Sequence, residues 1–504
     1  MARPRVAAVA ARAVSSSAGS PGAPCRVSGR EQLKEARLTK GLSFTLEERQ
    51  LLGIHGLLPP RVKSQAEAAE HSLRNLRRFK HPLNQYIYCA DLLERNERLF
   101  YKLLSENTEE LMPIVYTPTV GEACQKFGLV FKKPVGLFVT VEDQGHVLEV
   151  VSNWPESGVR SVVVTDGERV LGLGDLGAHG MGIAVGKLAM STAIAGIPPA
   201  LCLPVTLDVG TNNRELREDR DYMGLRRERV TGAQYEALLD EFMEAVVARY
   251  GQDTLVQFED FANHNAFRLL ERYKNRYCVF NDDIQGTASV VLAGLLAGLK
   301  ALGSGLQDQV FLFQGAGEAA LGIAELLVVA MVQLEGVAEQ EARSRIWLRD
   351  ILGLVVAGRP AGGITEQMRP FAHPHPAVEG LEEAVRILRP SVLLGASAVP
   401  GAFTPGIIEH MASYTARPVI MALSNPTDRA ECTAEAAYRH SGGRALFAGG
   451  SPSPACRAAG RSLEPAQANN AYIFPGLSLA VISAGQARPS HQLLQVHYTE
   501  PGRG

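Results

Sequence analysis

The chain has 504 residues, of which 46% are hydrophobic and 21% are charged, and its formal net charge at pH 7 is −2. This is the composition of a globular protein with an ample core, and the length predicts roughly two to four domains. A near-neutral charge gives no reason to expect binding to nucleic acid or to a membrane surface. The seven scattered cysteines form no C-x-x-C pair and are typical of reduced thiols in an intracellular protein.

The first predicted segment, residues 1–35, has the composition of a targeting sequence. Five arginines and many alanines and serines precede the first acid, Glu31. An acid-free start rich in arginine and serine predicts a mitochondrial transit peptide, although a disordered tail has the same composition. We therefore expect the protein in the mitochondrial matrix, with the cytoplasm as the alternative.

Residues 36–135 are predicted to form a mainly helical N-terminal domain, because leucines recur at helical spacing among charged residues. Near its end, Tyr116 lies between Pro113 and Pro118, which predicts a rigid loop that carries one phenol. A single tyrosine is more commonly a packed aromatic residue. The pattern alone therefore assigns it no function.

Residues 136–285 are predicted to be a substrate- and metal-binding domain. Strand-like runs at 136–141, 161–165 and 203–209 end in glycine-rich or polar loops. The loop after the second run carries Arg169, a side chain that can clamp a carboxylate with two hydrogen bonds.

A helix with Lys187 among apolar neighbours follows that loop. An ammonium group in such surroundings either reaches out to solvent or has a lowered pKa. Only a lysine with a lowered pKa can act as a base at neutral pH, so both interpretations stay open at this point.

Two acidic clusters follow the next two apolar runs, Glu259 with Asp260 and Asp282 with Asp283. Ligands bind at the carboxyl ends of strands in α/β sheets, so we expect these acids at one rim. Acids this close repel each other unless a cation lies between them, and carboxylate oxygens suit Mg²⁺ or Mn²⁺ better than Zn²⁺. The alternative is that they are helix-capping or surface acids, since Asp-Asp before Gly-Thr is also a loop signal.

Residues 286–470 are predicted to form a doubly wound parallel-sheet domain of the Rossmann type. A strand at 309–314 opens into a helix through the G-x-G-x-x-A fingerprint of dinucleotide binding. The candidate coenzyme contacts in this fingerprint are Gly315, Gly317, Glu318, Ala319 and Ala320. Further strands are predicted at 345–348, 391–394 and 418–423.

These motifs together resemble the eukaryotic-type malic enzymes, from about residue 40 to about residue 485. The shared motifs are Tyr116-Thr-Pro-Thr-Val-Gly121, Thr165-Asp-Gly-Glu-Arg169, Gly172-Leu-Gly-Asp-Leu-Gly177, Gln257-Phe-Glu-Asp-Phe261, Asn281-Asp-Asp-Ile-Gln-Gly286, Gly315-Ala-Gly-Glu-Ala-Ala320, Leu423-Ser-Asn-Pro-Thr427 and Asn469-Asn470. The resemblance implies an α/β fold with oxidative decarboxylation of (S)-malate to pyruvate and CO₂, reduction of NAD(P)⁺, and dependence on Mg²⁺ or Mn²⁺. It also implies a homo-oligomer, because the family usually forms dimers and tetramers.

The resemblance further implies a role for each matching residue. Glu259, Asp260 and Asp283 match the metal ligands of the family. Lys187 matches the general base, with a pKa lowered by apolar burial and the cation, and Tyr116 the general acid, while Asp282 tunes the lysine electrostatically. The matching substrate contacts are Arg169, Asn425 and Asn470, and Asn425 is also a candidate coenzyme contact.

The chain departs from the family at several positions. Ala466 and Ala468 stand where the family has glycine, so we expect strain if that loop needs positive φ angles. Ala184 stands where proline is usual. Family members continue well past Ser483, whereas this sequence diverges over 471–504, so we expect weaker stability and assembly rather than altered chemistry.

Two further functions stay open beside the active enzyme. One is a catalytically impaired paralogue or splice product that acts as a binding protein, and the other is a malolactic-type activity on the same fold. The retention of Tyr116, Lys187 and the three metal acids favours the enzyme, since no structural need explains five polar groups at one rim.

The coenzyme is predicted from Asp350, at the end of the second strand of the dinucleotide domain. An acid there accepts hydrogen bonds from the ribose 2′-hydroxyl of NAD and repels the 2′-phosphate of NADP, although it can also merely cap a turn. Family NADP users can keep this acid and offset it with nearby basic residues, often Ser-Lys directly after it. Ile351 and Leu352 follow here, so NAD is favoured, with NADP still possible through Arg359 or Arg369.

A last expectation concerns regulation. Some animal members bind an activating fumarate through two arginines and a glutamate, and the matching positions here are Arg95, His71 and Lys63. Only one of the three residue types is retained, which predicts little or no activation by fumarate.

Overall fold

The computed structural model describes residues 29–133 and 135–485, which belong to two compact units divided between Asn107 and Thr108. The predicted targeting segment lies outside the described residues except at its end, where the helix Gly29–Lys34 is found. The part of the predicted C-terminal segment after Gly485 lies outside them as well.

The first unit is helical, as predicted. Phe100, Leu103 and Leu104 form the buried stripe of its helix Glu97–Glu106. Its α-helices are Gly29–Lys34, Leu46–Leu51, Gln65–Leu76, Pro82–Arg95 and Glu97–Glu106.

The second unit begins with short helices and continues into a five-stranded parallel sheet. The helices are Thr108–Val115, Thr119–Gln125 and Phe127–Val130. The strands are β1 (Leu137–Thr140), β2 (Ser161–Thr165), β3 (Cys202–Asp208), β4 (Leu255–Phe258) and β5 (Val279–Asn281), in the spatial order β1-β3-β2-β4-β5. All residues of β2, β3, β4 and β5 are buried, which explains their continuous apolar runs. The intervening helices are Val147–Ser152, Met181–Ala195, Arg214–Glu218, Ala233–Tyr250 and Asn263–Tyr273.

A second, seven-stranded sheet follows, and it confirms the predicted doubly wound domain. Its strands are β6 (Phe311–Gln314), β7 (Ile346–Asp350), β8 (Gly353–Leu354), β9 (Val392–Gly395), β10 (Val419–Ala422), β11 (Leu446–Gly449) and β14 (Ala466–Gln467), in the order β14-β11-β10-β9-β6-β7-β8. Only the β7–β8 pair is antiparallel, and β12 (Cys456–Ala458) and β13 (Arg461–Leu463) form a separate hairpin. The helices are Thr287–Leu302, Glu318–Glu335, Glu339–Ser344, Leu381–Leu388, Pro405–Tyr414, Ala434–His440 and Phe474–Ala484.

The predicted strands agree with the observed ones to within one or two residues at each end, and the run 161–165 has the same bounds as β2. The prediction for the chain before Tyr116 was wrong in one respect. Pro113 lies inside the helix Thr108–Val115 rather than in a loop, so Tyr116 follows a helix end. The phenol is nevertheless held between two helices, since the next begins at Thr119.

The helix Thr287–Leu302 connects the two sheets. Together with the turn from Asp282 it is long and apolar enough to cross a membrane by length and composition alone, but half of it is buried in the protein. It packs on the helix Glu318–Glu335. Gly322 of that second helix lies against the turn, because an added Cβ would be 2.7 Å from the carbonyl oxygen of Ile284. Glycine therefore lets the coenzyme domain approach the acidic turn closely.

Candidate active site

Two neighbouring strands bring the four acids together. β4 pairs in parallel with β5, and Phe258 lies opposite Asn281 at the ends of the two strands. The residues that follow, Glu259 with Asp260 and Asp282 with Asp283, therefore leave the sheet side by side. The acids lie at the carboxyl rim that the sequence predicted for them.

Three of these acids form a compact oxygen cluster. One carboxylate oxygen from each of Glu259, Asp260 and Asp283 lies within 4.8 Å of the other two. The backbone N–H of Asp260 donates to Asp283 Oδ2 at 2.8 Å, and Asp260 Oδ1 accepts from the N–H of Leu171 at 2.9 Å. Asp260 Oδ2 is buried and has no hydrogen-bond partner among the described residues. Three carboxylates at this spacing, one of them with an oxygen that has no partner, fit Mg²⁺ or Mn²⁺.

Ionising the clustered acids together is electrostatically unfavourable. Burial, with the charge of Asp283, raises the pKa of the Asp260 carboxyl to about 8. Burial also raises the pKa of Glu259 well above its usual range, although Lys187 opposes the rise. Carboxyl groups that resist ionisation so close together become ordinary charged ligands only when a cation compensates them.

Lys187 is completely buried and paired with two acids. Its Nζ lies 2.8 Å from Glu259 Oε1 and donates a short hydrogen bond to Asp282 Oδ2. Burial alone would lower the pKa of the ammonium group, but Asp282 and Glu259 together raise it well above its usual range. The lowering expected from apolar burial is reversed, because that prediction left out the two carboxylates. The part of the lowering expected from a bound cation stays a prediction. The alternative in which the side chain reaches solvent is also excluded.

Asp282 is the nearest acidic partner of this lysine. Burial raises its pKa to about 6, against the effect of Lys187. The close fit depends on Gly286, because an added Cβ there would lie 1.8 Å from Asp282 Oδ1. The acid is thereby held beside the lysine by the backbone of the next turn.

Tyr116 lies close to the lysine as well. Lys187 Nζ is 5.3 Å from the centre of the Tyr116 ring and 4.5 Å from that of Phe474. The phenol is buried, and burial raises its pKa. Its hydroxyl lies 3.5 Å from Asn470 Oδ1. The structure thus brings Tyr116, Lys187 and Asn470 into one contiguous group.

A cavity with a volume of about 130 Å³ lies beside these groups. It is lined by Arg169 and by the three clustered acids. Arg169 Nη1 donates to Asn263 Oδ1 at 2.8 Å and lies 3.5 Å from Glu318 Oε1. The tip of the loop is held to the acids, since the N–H of Arg169 donates to the carbonyl of Asp260 at 3.1 Å.

Asn425 and Asn470 line the cavity from the coenzyme domain. Asn425 follows β10, and its Oδ1 accepts a hydrogen bond from Ser451 at 2.5 Å. The expected strain at Ala466 and Ala468 is absent, because neither is among the described residues with positive φ. Ala466 instead pairs within β14 against Ala448.

The dinucleotide fingerprint spans the turn from β6 into the helix Glu318–Glu335. Gly315 has φ +120°, and an added Cβ would lie 2.4 Å from the carbonyl oxygen of Ala396, so only glycine fits. Glu318 and Ala319 line the cavity, and burial raises the pKa of the Glu318 carboxyl to about 9. Gly317 lies against the Asn263 side chain, whereas Ala320 packs in the core.

Asp350 ends β7 as predicted, but its carboxylate is not unpaired. Arg359 donates to it from both terminal nitrogens, Nη1 to Oδ1 at 2.7 Å and Nη2 to Oδ2 at 2.9 Å. Asp350 is therefore not the uncompensated acid that was expected to repel the 2′-phosphate of NADP. Of the two side chains that follow, Ile351 is 95% exposed and Leu352 is 42% exposed, and neither carries charge.

Sequence reasoning missed three residues of the site. The ring of Phe474 makes a cation–π contact with Lys187, Asn263 accepts a hydrogen bond from Arg169, and Ser451 donates one to Asn425. Asn263 could have been noticed, since it follows the Gln257–Phe261 motif by two residues. A serine carries no comparable signal, and its role depends on a contact between distant loops.

A parallel-sheet coenzyme domain joined to a sheet that ends in clustered acids is the architecture of a nicotinamide-dependent dehydrogenase. Two family models match the chain, the malic enzyme N-terminal domain over residues 93–274 and the malic enzyme NAD-binding domain over residues 284–499.

Individual relatives agree with these matches. The NADP-dependent malic enzyme of Columba livia is 55% identical over 458 residues, which cover 91% of this chain and 82% of that protein. The mitochondrial NADP-dependent malic enzyme of Mus musculus is 52% identical and covers 92% of this chain and 76% of its own. The crystal structure of the Entamoeba histolytica malic enzyme has a TM-score of 0.53 at 20% identity, covers 88% of this chain and 78% of its own, and shows the common fold. This chain belongs to the malic enzyme family.

Proposed function

We propose that this chain catalyses the oxidative decarboxylation of (S)-malate to pyruvate and CO₂, with reduction of NAD(P)⁺ and dependence on Mg²⁺ or Mn²⁺. One observation carries the proposal. The acid cluster, the Lys187–Asp282 pair and the Tyr116 hydroxyl converge beside the loop that follows β6. A protein that had lost catalysis would have no reason to keep this costly buried set of charges.

Glu259, Asp260 and Asp283 are proposed as the metal ligands. When bound there, a divalent cation supplies a Lewis acid and offsets the negative charge that keeps Lys187 protonated. Arg169 and Asn425 bind the carboxylates of the substrate, and Asn470 lies beside the proton donor. The nicotinamide supplies the hydride acceptor.

The protein's own groups move two protons. Lys187 Nζ takes the proton of the malate C2 hydroxyl while the hydride leaves C2. The C3–C4 bond then breaks, CO₂ leaves, and the electron pair of that bond passes to C3 as pyruvate enolate. The Tyr116 hydroxyl donates a proton to C3, which gives pyruvate. Asp282 positions Lys187 and takes part in neither transfer.

The preferred coenzyme is proposed to be NAD, with NADP as the alternative. Both terminal nitrogens of Arg359 are used on Asp350, and its side chain is 2% exposed, so this arginine is closed to a 2′-phosphate. Ile351 and Leu352 offer no positive charge to bind that phosphate. The relatives from Columba livia and Mus musculus are named NADP-dependent, and the ratio of kcat/KM for the two coenzymes decides between NAD and NADP for this chain.

We also propose a homo-oligomer, a dimer or a tetramer, and a location in the mitochondrial matrix with the cytoplasm as the alternative. The domain limits proposed are residues 136–285 for substrate and metal and 286–470 for the coenzyme. The function itself is tested by malate-dependent formation of NADH or NADPH by the purified protein with Mn²⁺. Reduction that requires both malate and the metal is expected, and its absence would refute the proposal.

A further inference from the structure

We propose that Ser451 is a positioning residue for the reaction and acts by fixing the carboxamide of Asn425. The inference rests on the proposed function, because it takes Asn425 as a contact of the substrate. Ser451 stands just after β11, far from Asn425 in sequence, and only 6% of it is exposed. Ser451 does not line the active-site cavity, so it would act on the substrate through Asn425.

Two hydrogen bonds decide which end of the Asn425 amide points where. Ser451 Oγ donates to Asn425 Oδ1 at 2.5 Å, and Asn425 Nδ2 donates to the carbonyl of Leu423 at 3.4 Å. A half-turn of the amide would set Oδ1 against the Leu423 carbonyl, and two acceptors would then face each other. In the observed orientation one N–H of Nδ2 is left over for a ligand of the cavity.

The turn that carries Ser451 also binds the loop of Gln467 and Asn469, which leads to Asn470. The carbonyl of Gly450 accepts from Asn469 Nδ2 at 3.1 Å and from Gln467 Nε2 at 3.3 Å. A Cβ on Gly450 would lie 2.8 Å from Asn425 Nδ2, so the turn is closely fitted against that amide. The turn thus joins the Asn425 loop to the loop that ends in Asn470.

Removing the hydroxyl should impair substrate binding specifically. Without a donor to Oδ1 the amide can rotate and present an acceptor to a negatively charged carboxylate, which is repulsive. Loss of one hydrogen bond corresponds to a rise of about 3- to 10-fold in KM for malate. The thermal midpoint should stay close to that of the parent.

The test compares Ser451→Ala with Ser453→Ala as the matched control. Ser453 lies two residues further along. Both serines line a second cavity of about 540 Å³, which is separate from the active-site cavity. Ser451→Thr keeps the hydroxyl, and its extra methyl group has that second cavity to enter, so it should restore a KM near that of the parent. Ser451→Cys keeps the size but donates weakly, and is measured in case the alanine variant folds poorly.

A double-mutant cycle with Asn425→Ala decides whether Ser451 acts through Asn425. Asn425→Ala alone should raise the malate KM, and adding Ser451→Ala should then change it by less than about twofold. An equal further loss in that background, or a Ser451→Ala variant no different from the Ser453→Ala control, would overturn the inference. If Asn425→Ala itself leaves malate binding unchanged, the substrate role in the proposed function fails instead.

Discussion

Lys187 Nζ lies 2.8 Å from Glu259 Oε1, so the proposed base is paired with a proposed metal ligand. Asp282 and this pairing together raise the pKa of the ammonium group against the effect of burial, which favours its protonated form. Glu259 would be shared between the lysine and a bound divalent cation, which would weaken the pairing and favour the neutral amine. Metal binding and the readiness of the base are therefore coupled through one carboxylate.

The first prediction concerns the two proton-transfer groups. Lys187→Ala should lose malate oxidation, and Tyr116→Phe should chiefly lose protonation at C3, each by about 10²–10⁴-fold. The two steps are separated by following malate oxidation spectroscopically and the exchange of pyruvate C3 protons by NMR. Losses below about tenfold in both variants would reject the assigned pair and favour a packed tyrosine and a structural lysine.

The second prediction is that Mn²⁺ binding strengthens as the pH rises. Below pH 8 the Asp260 carboxyl is mostly protonated, since its pKa is raised to about 8, and a cation must displace that proton. The dissociation constant should fall by roughly tenfold or more per pH unit between pH 6 and 8, because the raised pKa of Glu259 adds a second proton to displace. Titration calorimetry in buffers of different ionisation enthalpy measures both the constant and the proton released.

The same measurement is made on the variant Asp283→Asn, with Asp428→Asn as its control. Asp283→Asn removes a charged ligand, so Mn²⁺ binding and turnover should both be lost, whereas Asp428→Asn changes an exposed acid and should alter neither. Near-normal turnover of Asp283→Asn at ordinary Mn²⁺ levels would show that the metal ligands are assigned incorrectly.

The third prediction is a preference for NAD, measured as the ratio of kcat/KM for the two coenzymes. Replacing Ile351 and Leu352 by serine and lysine should shift this ratio towards NADP, because the lysine supplies a cation where the chain has none. Arg369→Gln is the companion variant, since a loss confined to NADP would reveal that Arg369 reaches the phosphate. A parent preference of about tenfold for NADP would contradict the prediction.

The fourth prediction is that fumarate activates this protein little or not at all. His71 and Arg95 line one cavity in the first unit. Of the three matching positions only Arg95 retains the residue type that activated relatives use, so the set lacks the second arginine for the dicarboxylate. Clear stimulation of the initial rate by millimolar fumarate at subsaturating malate would be the opposite result.

The sequence predicted the strands and the acids because their patterns are local. A buried strand is a continuous apolar run, and an acid at its end is visible two residues later, as at Phe258 and Asp260. The parallel pairing of β4 with β5 then placed both clusters at one rim, which the α/β pattern was enough to anticipate.

The electrostatics were not predictable in the same way. The neighbours of Lys187 in sequence are apolar, whereas its partner Asp282 is 95 residues away and reverses the direction of its pKa shift. The pairing of Asp350 was not predicted either, because its partner Arg359 lies nine residues further along the chain. Whether a charge is paired depends on tertiary contacts, and residue patterns contain little information about them.

The most direct test of the central claim is the stoichiometry of turnover. The purified protein is incubated with (S)-malate, Mn²⁺ and each coenzyme, and reduced coenzyme, pyruvate and CO₂ are quantified together, with Lys187→Ala and a chelator-treated sample as controls. The three products are expected in equal amounts in the parent, with little or none in either control. Formation of lactate without net coenzyme reduction, or no malate-dependent turnover in a folded protein that binds Mn²⁺, would contradict the assignment as an active malic enzyme.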